Sequence, residues 1–455
     1  MPTRSGHPAL RKRRHASCRP RRPLQWGGVL LAFSGIVLAK HDDRHPRQPP
    51  RLGEALSGVF ALAALLVGAG IFLGASLLFG EERTLPQTPE VWLSWIYLVL
   101  VGTMKGAFIL RPDKGRKKWE MEGPYLRGHA VYAMAMDTRA GRNKLFATAM
   151  NSHFGTVLAS SEDLGKSWNI PEEPNVTFPE GSELALKQIW QIVPGRETEP
   201  DTLYCGVEPA ALFVSRDAGA TWTLNDGLWN HPHRPKWEPG GGGLCLHTIL
   251  LDPADPDRIR VAISTGGMYV TEDAGASWRP SNRGVRADFL PDKHPEFGQC
   301  VHKVAQSRQR ADRMFLQNHW GLYRSDDRGE SWTDIANGVP SDFGFPVAIH
   351  PRQPDTAWIV PLESDEFRCT PEGRLRVYRT RDAGASWHPL ADGLPQEGAY
   401  ETVLRDGLAV DPLDGAGVYF GTRSGKVFGS ADEGDHWTEL VDGLPPVISV
   451  KAAVV

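Results

Sequence analysis

Short runs in which apolar and polar residues alternate recur from residue 97 to the end of the chain, and a period of two is the mark of half-buried strands. One unit shows the pattern plainly. An apolar run at 246–251 ends at Asp252-Pro253, a second follows at 260–264 and a third at 267–271. Then comes the phrase Thr271-Glu272-Asp273-Ala274-Gly275-Ala276-Ser277-Trp278, with a further strand starting at its Trp. The pattern therefore predicts four antiparallel strands per unit.

The phrase occurs six times, with Asp163 and Trp168, Asp217 and Trp222, Asp273 and Trp278, Asp327 and Trp332, Asp382 and Trp387, and Asp432 and Trp437 at its fixed positions. A degenerate seventh copy, with Asp113, Gly115 and Trp119, has one extra residue. Its chemistry is that of a tight hairpin. Ser/Thr and Asp side chains fold back on nearby backbone N–H groups, Gly supplies a positive φ, and Trp covers the turn. These residues are assigned to structure. The recurrent pairs Asp226-Gly227, Arg283-Gly284, Asn337-Gly338, Asp392-Gly393 and Asp442-Gly443 read as exit turns. Four-stranded units repeated radially about every fifty residues are propeller blades. The first unit, with strands at 97–103, 106–113 and 118–121, lacks its innermost strand, and residues 447–455 supply it. The expectation is an all-β, seven-bladed β-propeller over 96–455, six complete blades and one closed by pairing of the C-terminal strand with the N-terminal blade.

These phrases resemble the BNR, or Asp-box, repeat, and the chain resembles bacterial BNR-repeat propeller proteins labelled sialidase-like or glycosyl hydrolases, within the WD40/YVTN/BNR-like group. Similar boxes occur in sialidases, xyloglucanases, sortilin-type receptors and photosystem assembly factors. The resemblance covers roughly 96–455 and speaks to fold; function has to be argued from a site. It does not extend to sialidase chemistry: the Phe/Tyr-Arg-Ile-Pro motif is absent, since Arg258-Ile259 is followed by Arg260.

Charge narrows the partners. The chain carries a formal −3, yet residues 1–54 hold 12 Lys/Arg against 3 Asp/Glu, so the remainder is acidic. An acidic propeller is a poor match for phosphate backbones, which excludes nucleic acid as a partner. Five cysteines (18, 205, 245, 300 and 369) form no CxxC and leave one over, which speaks against a disulfide framework.

Ahead of the propeller lie a basic arm at 1–23, an apolar stretch at 24–80 with one or two transmembrane helices (26–39 and 55–80), and a linker at 81–95. Residues 55–80 run without a charge for the length of a bilayer span. Either this segment anchors the protein in a membrane or the reading frame has been started too early, leaving a cytoplasmic propeller.

In propellers of the resembling kind the boxes lie on one face and ligands bind on the other, near the axis. That second face is built from the loops entering each innermost strand and from the turns between second and third strands. Entry positions here are Tyr132, Trp190, His247, His302 with Lys303, Phe345 and Asp406. The turns offer His153, Glu208, Thr265, His319 with Trp320, Glu363 with Asp365 and Glu366, and Arg423; long entry loops add His231, His233, Trp237, His294, Asp342 and Arg405. From these the candidate ligand-binding residues are His153, Trp190, His247, His302, Lys303, His319, Trp320, Arg405 and Arg423. A Cys-x-His pair recurs 55 residues apart, as Cys245/His247 and Cys300/His302. Residues two apart on a strand face one way, so each pair projects a thiol and an imidazole, a donor set for a transition metal that His319 or Glu208 would complete. A glycosidase needs two carboxylates about 5–10 Å apart, and Glu208, Glu363, Asp365 and Asp406 are the candidates.

The reading is a monomeric propeller that recognises a glycan, small polar ligand or protein segment on this face. A glycosidase-like hydrolase is the alternative, and a membrane-tethered assembly factor the second alternative.

Overall fold

The alternating runs fold into seven antiparallel sheets in a computed structural model of the protein, which describes residues 97–455 apart from residue 114. The sheets are the blades of an all-β, seven-bladed propeller. Their innermost strands are Val447–Val454, Met134–Asp137, Gln188–Pro194, Leu246–Leu251, Val301–Gln306, Gly344–Ile349 and Leu408–Val410, for blades 1 to 7 in turn. Each touches the next around the axis, and Leu408–Val410 returns to Val447–Val454.

Closure follows the expected route. Val447–Val454 lies antiparallel to Tyr97–Thr103, in register from Tyr97↔Val454 to Thr103↔Val447, with one irregularity at Gly102/Thr103. The ladder spends the free edges that an open array would expose.

One blade departs from expectation. Blade 2 has three strands, Met134–Asp137, Lys144–Asn151 and Gly155–Ser161, and only an isolated pair, Ser160↔Asn169, where the fourth should run. Pro171 and Pro174 follow that pair, and proline cannot donate to a ladder. Asn175 takes over with its side chain: its Oδ1 accepts from Leu158 N at 2.9 Å and its Nδ2 donates to Leu158 O at 3.0 Å.

The six hairpin phrases share one hydrogen-bond pattern. In blade 3, Ser215 Oγ donates to Asp217 Oδ1 at 2.8 Å and accepts from Gly219 N at 2.9 Å; Asp217 then accepts from Thr221 N at 2.9 Å and Thr221 Oγ1 at 2.6 Å. Two successive residues, Ala218 and Gly219, adopt positive φ (57° and 91°). For Ala this region is costly, and the carboxylate clasp holds it there. These bonds favour the charged form, so Asp163, Asp217 and Asp273 are pulled down to about 2 by the hydroxyl and amide donors around them.

The phrases also join neighbouring blades. Trp332 Nε1 donates to Ser281 O at 3.1 Å and Trp387 Nε1 to Ile335 O at 2.9 Å, both in the preceding blade. The exit turns meet the same tryptophans from the other side. Trp437 N donates to Asp392 O at 2.9 Å, and a Cβ on Gly393 (φ 83°) would stand 2.0 Å from Trp437 O. Only glycine fits there. Between the blades lie apolar layers such as the one around Trp358, which is fully buried and donates from Nε1 to Glu433 O at 2.9 Å.

Among the described residues no helix is long and apolar enough to cross a membrane. Segments 1–23, 24–80 and 81–95, including both candidate spans, lie outside the described residues.

Candidate functional site

The innermost strands are not regular where they enter the ring. Their ladders slip between Ile189 and Gln191, Leu246 and Thr248, Val301 and Lys303, and Gly344 and Val347. Trp190, His247, His302 and Phe345 stand at these bulges. A bulge adds an unpaired residue and re-aims its side chain, which makes the entry positions special and also breaks the alternation rule on them.

Three groups of side chains result. The first surrounds Trp190, whose ring packs edge-on to Tyr132 (centroids 5.0 Å apart) with the Arg405 guanidinium 4.9 Å from its centroid. Trp190 Nε1 donates to Glu208 Oε2 at 3.1 Å, and Lys187 Nζ donates to Glu208 Oε1 at 2.6 Å. Glu208 holds the Lys187 ammonium above its usual range. Arg405 Nη1 also donates to Cys245 Sγ at 3.4 Å. Burial pushes that thiol up, so it stays protonated.

The second group lies in the axial channel, next to a cavity of about 290 Å³ lined by Met134, Met136, Trp190, Ile192, Asp406 and Lys451. Lys303 Nζ and Lys451 Nζ each reach Asp406 Oδ1 at 2.8 Å. Burial alone would raise the Asp406 carboxyl, but the two ammoniums outweigh it and hold it well below the usual range. The same burial pulls Lys303 below its usual value, aided by Lys451 and Arg405.

The third group gathers Cys300, His302 and His319, whose ligand atoms all lie within 4.8 Å of one another. Cys300 Sγ is 3.7 Å from His302 Nε2, His302 Nδ1 is 2.6 Å from Gly344 O, and His319 Nε2 is 3.1 Å from Asp365 Oδ2. Phe343 and Phe345 wall the pocket against His302, and Trp320 packs on His319 with centroids 4.2 Å apart. Burial drives His302 well below the usual imidazole range, so it is neutral.

The expected pairing of Cys245 with His247 is corrected here. His247 is fully buried and spends Nε2 on Val301 O (2.9 Å) and Nδ1 on Thr248 Oγ1 (3.0 Å), which leaves no lone pair for a metal. The bulge beside Leu246 is the physical reason. His233 and Trp237 likewise turn inward, both bonding the Tyr269 hydroxyl. His153, Glu363 and Arg423 stand exposed on separate loops.

Sequence reasoning passed over Lys187, Lys451, Phe343 and a set of exposed rings. Among the described residues the exposed aromatic side chains are Phe154 (81%), Tyr400 (61%), Phe289 (48%) and Phe367 (45%). Each sits in an entry loop or a second-to-third turn, on the face away from the hairpin phrases. Phe289 packs on Trp320 (5.0 Å) and Phe367 on Tyr400 (6.1 Å). A scan of those loops for unpaired apolar residues would have found them.

Fold and face together define the class, a closed seven-bladed β-propeller with a polar, aromatic-studded axial face, and its relatives carry glycoside-hydrolase names. In sequence the chain is similar to the oligoxyloglucan-reducing end-specific xyloglucanase of Emericella nidulans, 23% identical over 287 residues, covering 55% of this chain and 34% of that one. It is also similar to a xyloglucanase of a Paenibacillus species, 23% identical over 290 residues, covering 54% of this chain and 26% of that one. In structure it is similar to the GH74 xyloglucanase from Xanthomonas campestris, with TM-score 0.54, 21% identity, and coverage of 76% of this chain and 53% of that chain. That likeness speaks for the fold alone. The chain spans about a third of the length of the fungal relative. No protein-family model matches the chain.

Proposed function

We propose that the axial face binds a glycan chain, with xyloglucan and its oligosaccharides the first ligands to try. The observation that carries this reading is the placing of the exposed aromatics. Phe154, Phe289, Phe367 and Tyr400 all stand on one face, beside charged and hydrogen-bonding groups. Grouped exposed rings mark contact sites, and Phe289 groups with Trp320 as Phe367 does with Tyr400. A pyranose offers such rings an apolar C–H face, while its hydroxyls meet groups such as Arg423, Lys187 and Glu363. The xyloglucanase relatives support the choice of polysaccharide.

Hydrolysis is the second reading, favoured by the names of those same relatives. The carboxylates weigh against it. A general acid has to hold its proton near working pH, whereas two ammoniums keep Asp406 charged. Glu208 is held by Lys187 and Trp190 and Asp365 is bonded by His319, so among the four candidates Glu363 is the carboxylate without such a partner and Asp365 the one beside it in the same loop.

Calorimetric titration of the full-length protein with xyloglucan heptasaccharide- to nonasaccharide-class oligomers, beside a reducing-end release assay, separates the two. Saturable binding without release is expected. No binding to xyloglucan or to cello-, manno- and sialo-oligosaccharide controls would overturn the glycan reading; release lost in Glu363→Gln or Asp365→Asn would favour the hydrolase.

A further inference from the structure

Blade 5 carries a second kind of chemistry that does not depend on the glycan reading. We infer that Cys300, His302 and His319 form a binding site for a borderline divalent metal ion of the zinc class, open on the axial face, with Asp365 as its outer carboxylate.

The spacing fits before any movement. Bonds of about 2.3 Å to sulfur and 2.0–2.1 Å to nitrogen at a tetrahedral angle put S and N about 3.6 Å apart. Cys300 Sγ and His302 Nε2 are 3.7 Å apart, and His319 completes a triangle with no side above 4.8 Å. A shift of about 1 Å in a partly exposed side chain brings the third donor to bonding distance. Three protein ligands leave a fourth position for water or a small ligand.

The tautomers fit as well. A carbonyl can only accept, so His302 Nδ1–H donates to Gly344 O at 2.6 Å, and the lone pair of the neutral ring sits on Nε2, towards Cys300. His319 donates from Nε2 to Asp365 Oδ2 at 3.1 Å, which puts its lone pair on the other nitrogen. Both imidazoles thus carry the outer partner, a backbone carbonyl or a carboxylate, that orients metal-bound histidines. Sulfur with two imidazoles selects zinc-like ions over calcium or magnesium.

The backbone holds the set together. His319 N donates to Cys300 O at 3.0 Å, which ties the turn to the strand entry, and Phe343 and Phe345 fix the His302 ring. The opposing charges are Arg405, which is committed to Cys245 and Trp190, and Arg368, whose Nε donates to Asp365 O at 2.9 Å. Asp365 and the Cys300 thiolate that binding would create offset the cation.

The test is cobalt titration of the chelator-treated full-length protein, followed by zinc displacement. One equivalent of Co²⁺ is expected, with a thiolate-to-cobalt charge-transfer band in the near ultraviolet and the ligand-field intensity of a four-coordinate ion. Cys300→Ser should abolish the band and Cys245→Ser should leave it. His319→Ala should weaken binding at least tenfold and Asp365→Asn about tenfold. Far- and near-ultraviolet circular dichroism of each apo variant reads the fold. A parent protein without the band would overturn the site, as would a band that survives Cys300→Ser. If Cys300→Ser does not fold, unchanged affinity in a folded His319→Ala variant would do the same.

Discussion

The two faces of this ring solve opposite problems. On the hairpin face, six phrases clasp their Ser/Thr hydroxyls and turn amides within eight residues of chain and in one repeated pattern. On the axial face the side chains are not repeated as a set, and charges find partners across the ring: Lys303 lies 103 positions from Asp406, and Arg405 lies 160 from Cys245. Local, repeated chemistry builds the scaffold. Non-local, unrepeated chemistry on a rigid support is where a ligand is read.

The comparison breaks first, and hardest, at Asp406. Asp406→Ala would leave two ammoniums facing each other in the channel, and removing one partner of a buried charge group costs about 3–5 kcal/mol. A urea denaturation midpoint close to that of the parent would contradict the charge triad. Next comes Gly393→Ala on the hairpin side, where a positive φ and the Trp437 carbonyl both resist a methyl group. The loss should exceed about 1 kcal/mol and appear as a lower melting temperature with glycan affinity intact in the folded protein. Asp327→Ala removes the clasp on Ser325 and Ser331, costing about 1–2 kcal/mol by analogy with loss of a helix cap. The axial counterpart, Phe289→Ala, should leave stability within about 0.5 kcal/mol and weaken oligosaccharide binding several-fold.

Acid sharpens the contrast with the smallest effect per residue. Asp163, Asp217 and Asp273 titrate at about 2 in the fold, below the ordinary carboxyl value of 3.8. Their folded values are depressed, so the stability they contribute is complete above the unfolded value and is lost as pH falls from near 4 to 2. Urea midpoints should decline gradually below about pH 6.5, as unfolding lets the buried neutral His247 and His302 take up protons, and drop further between pH 4 and 2, with a shallower acid drop in Asp217→Asn. An unchanged drop in that variant would remove the hairpin carboxylates from the explanation.

How much of this was legible in the sequence follows from the same contrast. The phrases could be read as hairpins because the Ser/Thr-to-Asp clasp that makes the turn stays within the phrase, and the closing strand could be read because Tyr97–Thr103 lacked an inner neighbour. Blade 2 misled only where Pro171 and Pro174 replaced a ladder with the Asn175 side chain. The site was legible as a set of loops and not as a set of contacts. Alternation put Cys245 and His247 on one side, and a bulge at that point sent the imidazole to the Val301 carbonyl. Lys451 was visible in the closing strand, but its partner Asp406 is 45 positions away, and no local pattern announces an ion pair at that range.

The division of labour between the faces is tested most directly by one paired titration. Phe367→Ala/Tyr400→Ala and Asp327→Ala/Asp382→Ala are compared with the parent for xyloglucan-oligosaccharide affinity and melting temperature, at a temperature where all three are folded. The account predicts that the aromatic pair loses at least tenfold in affinity, about 1.4 kcal/mol, and keeps its melting temperature, while the hairpin pair melts earlier and binds as the parent does. Full affinity in the aromatic variant, or lost affinity in the folded hairpin variant, would contradict it.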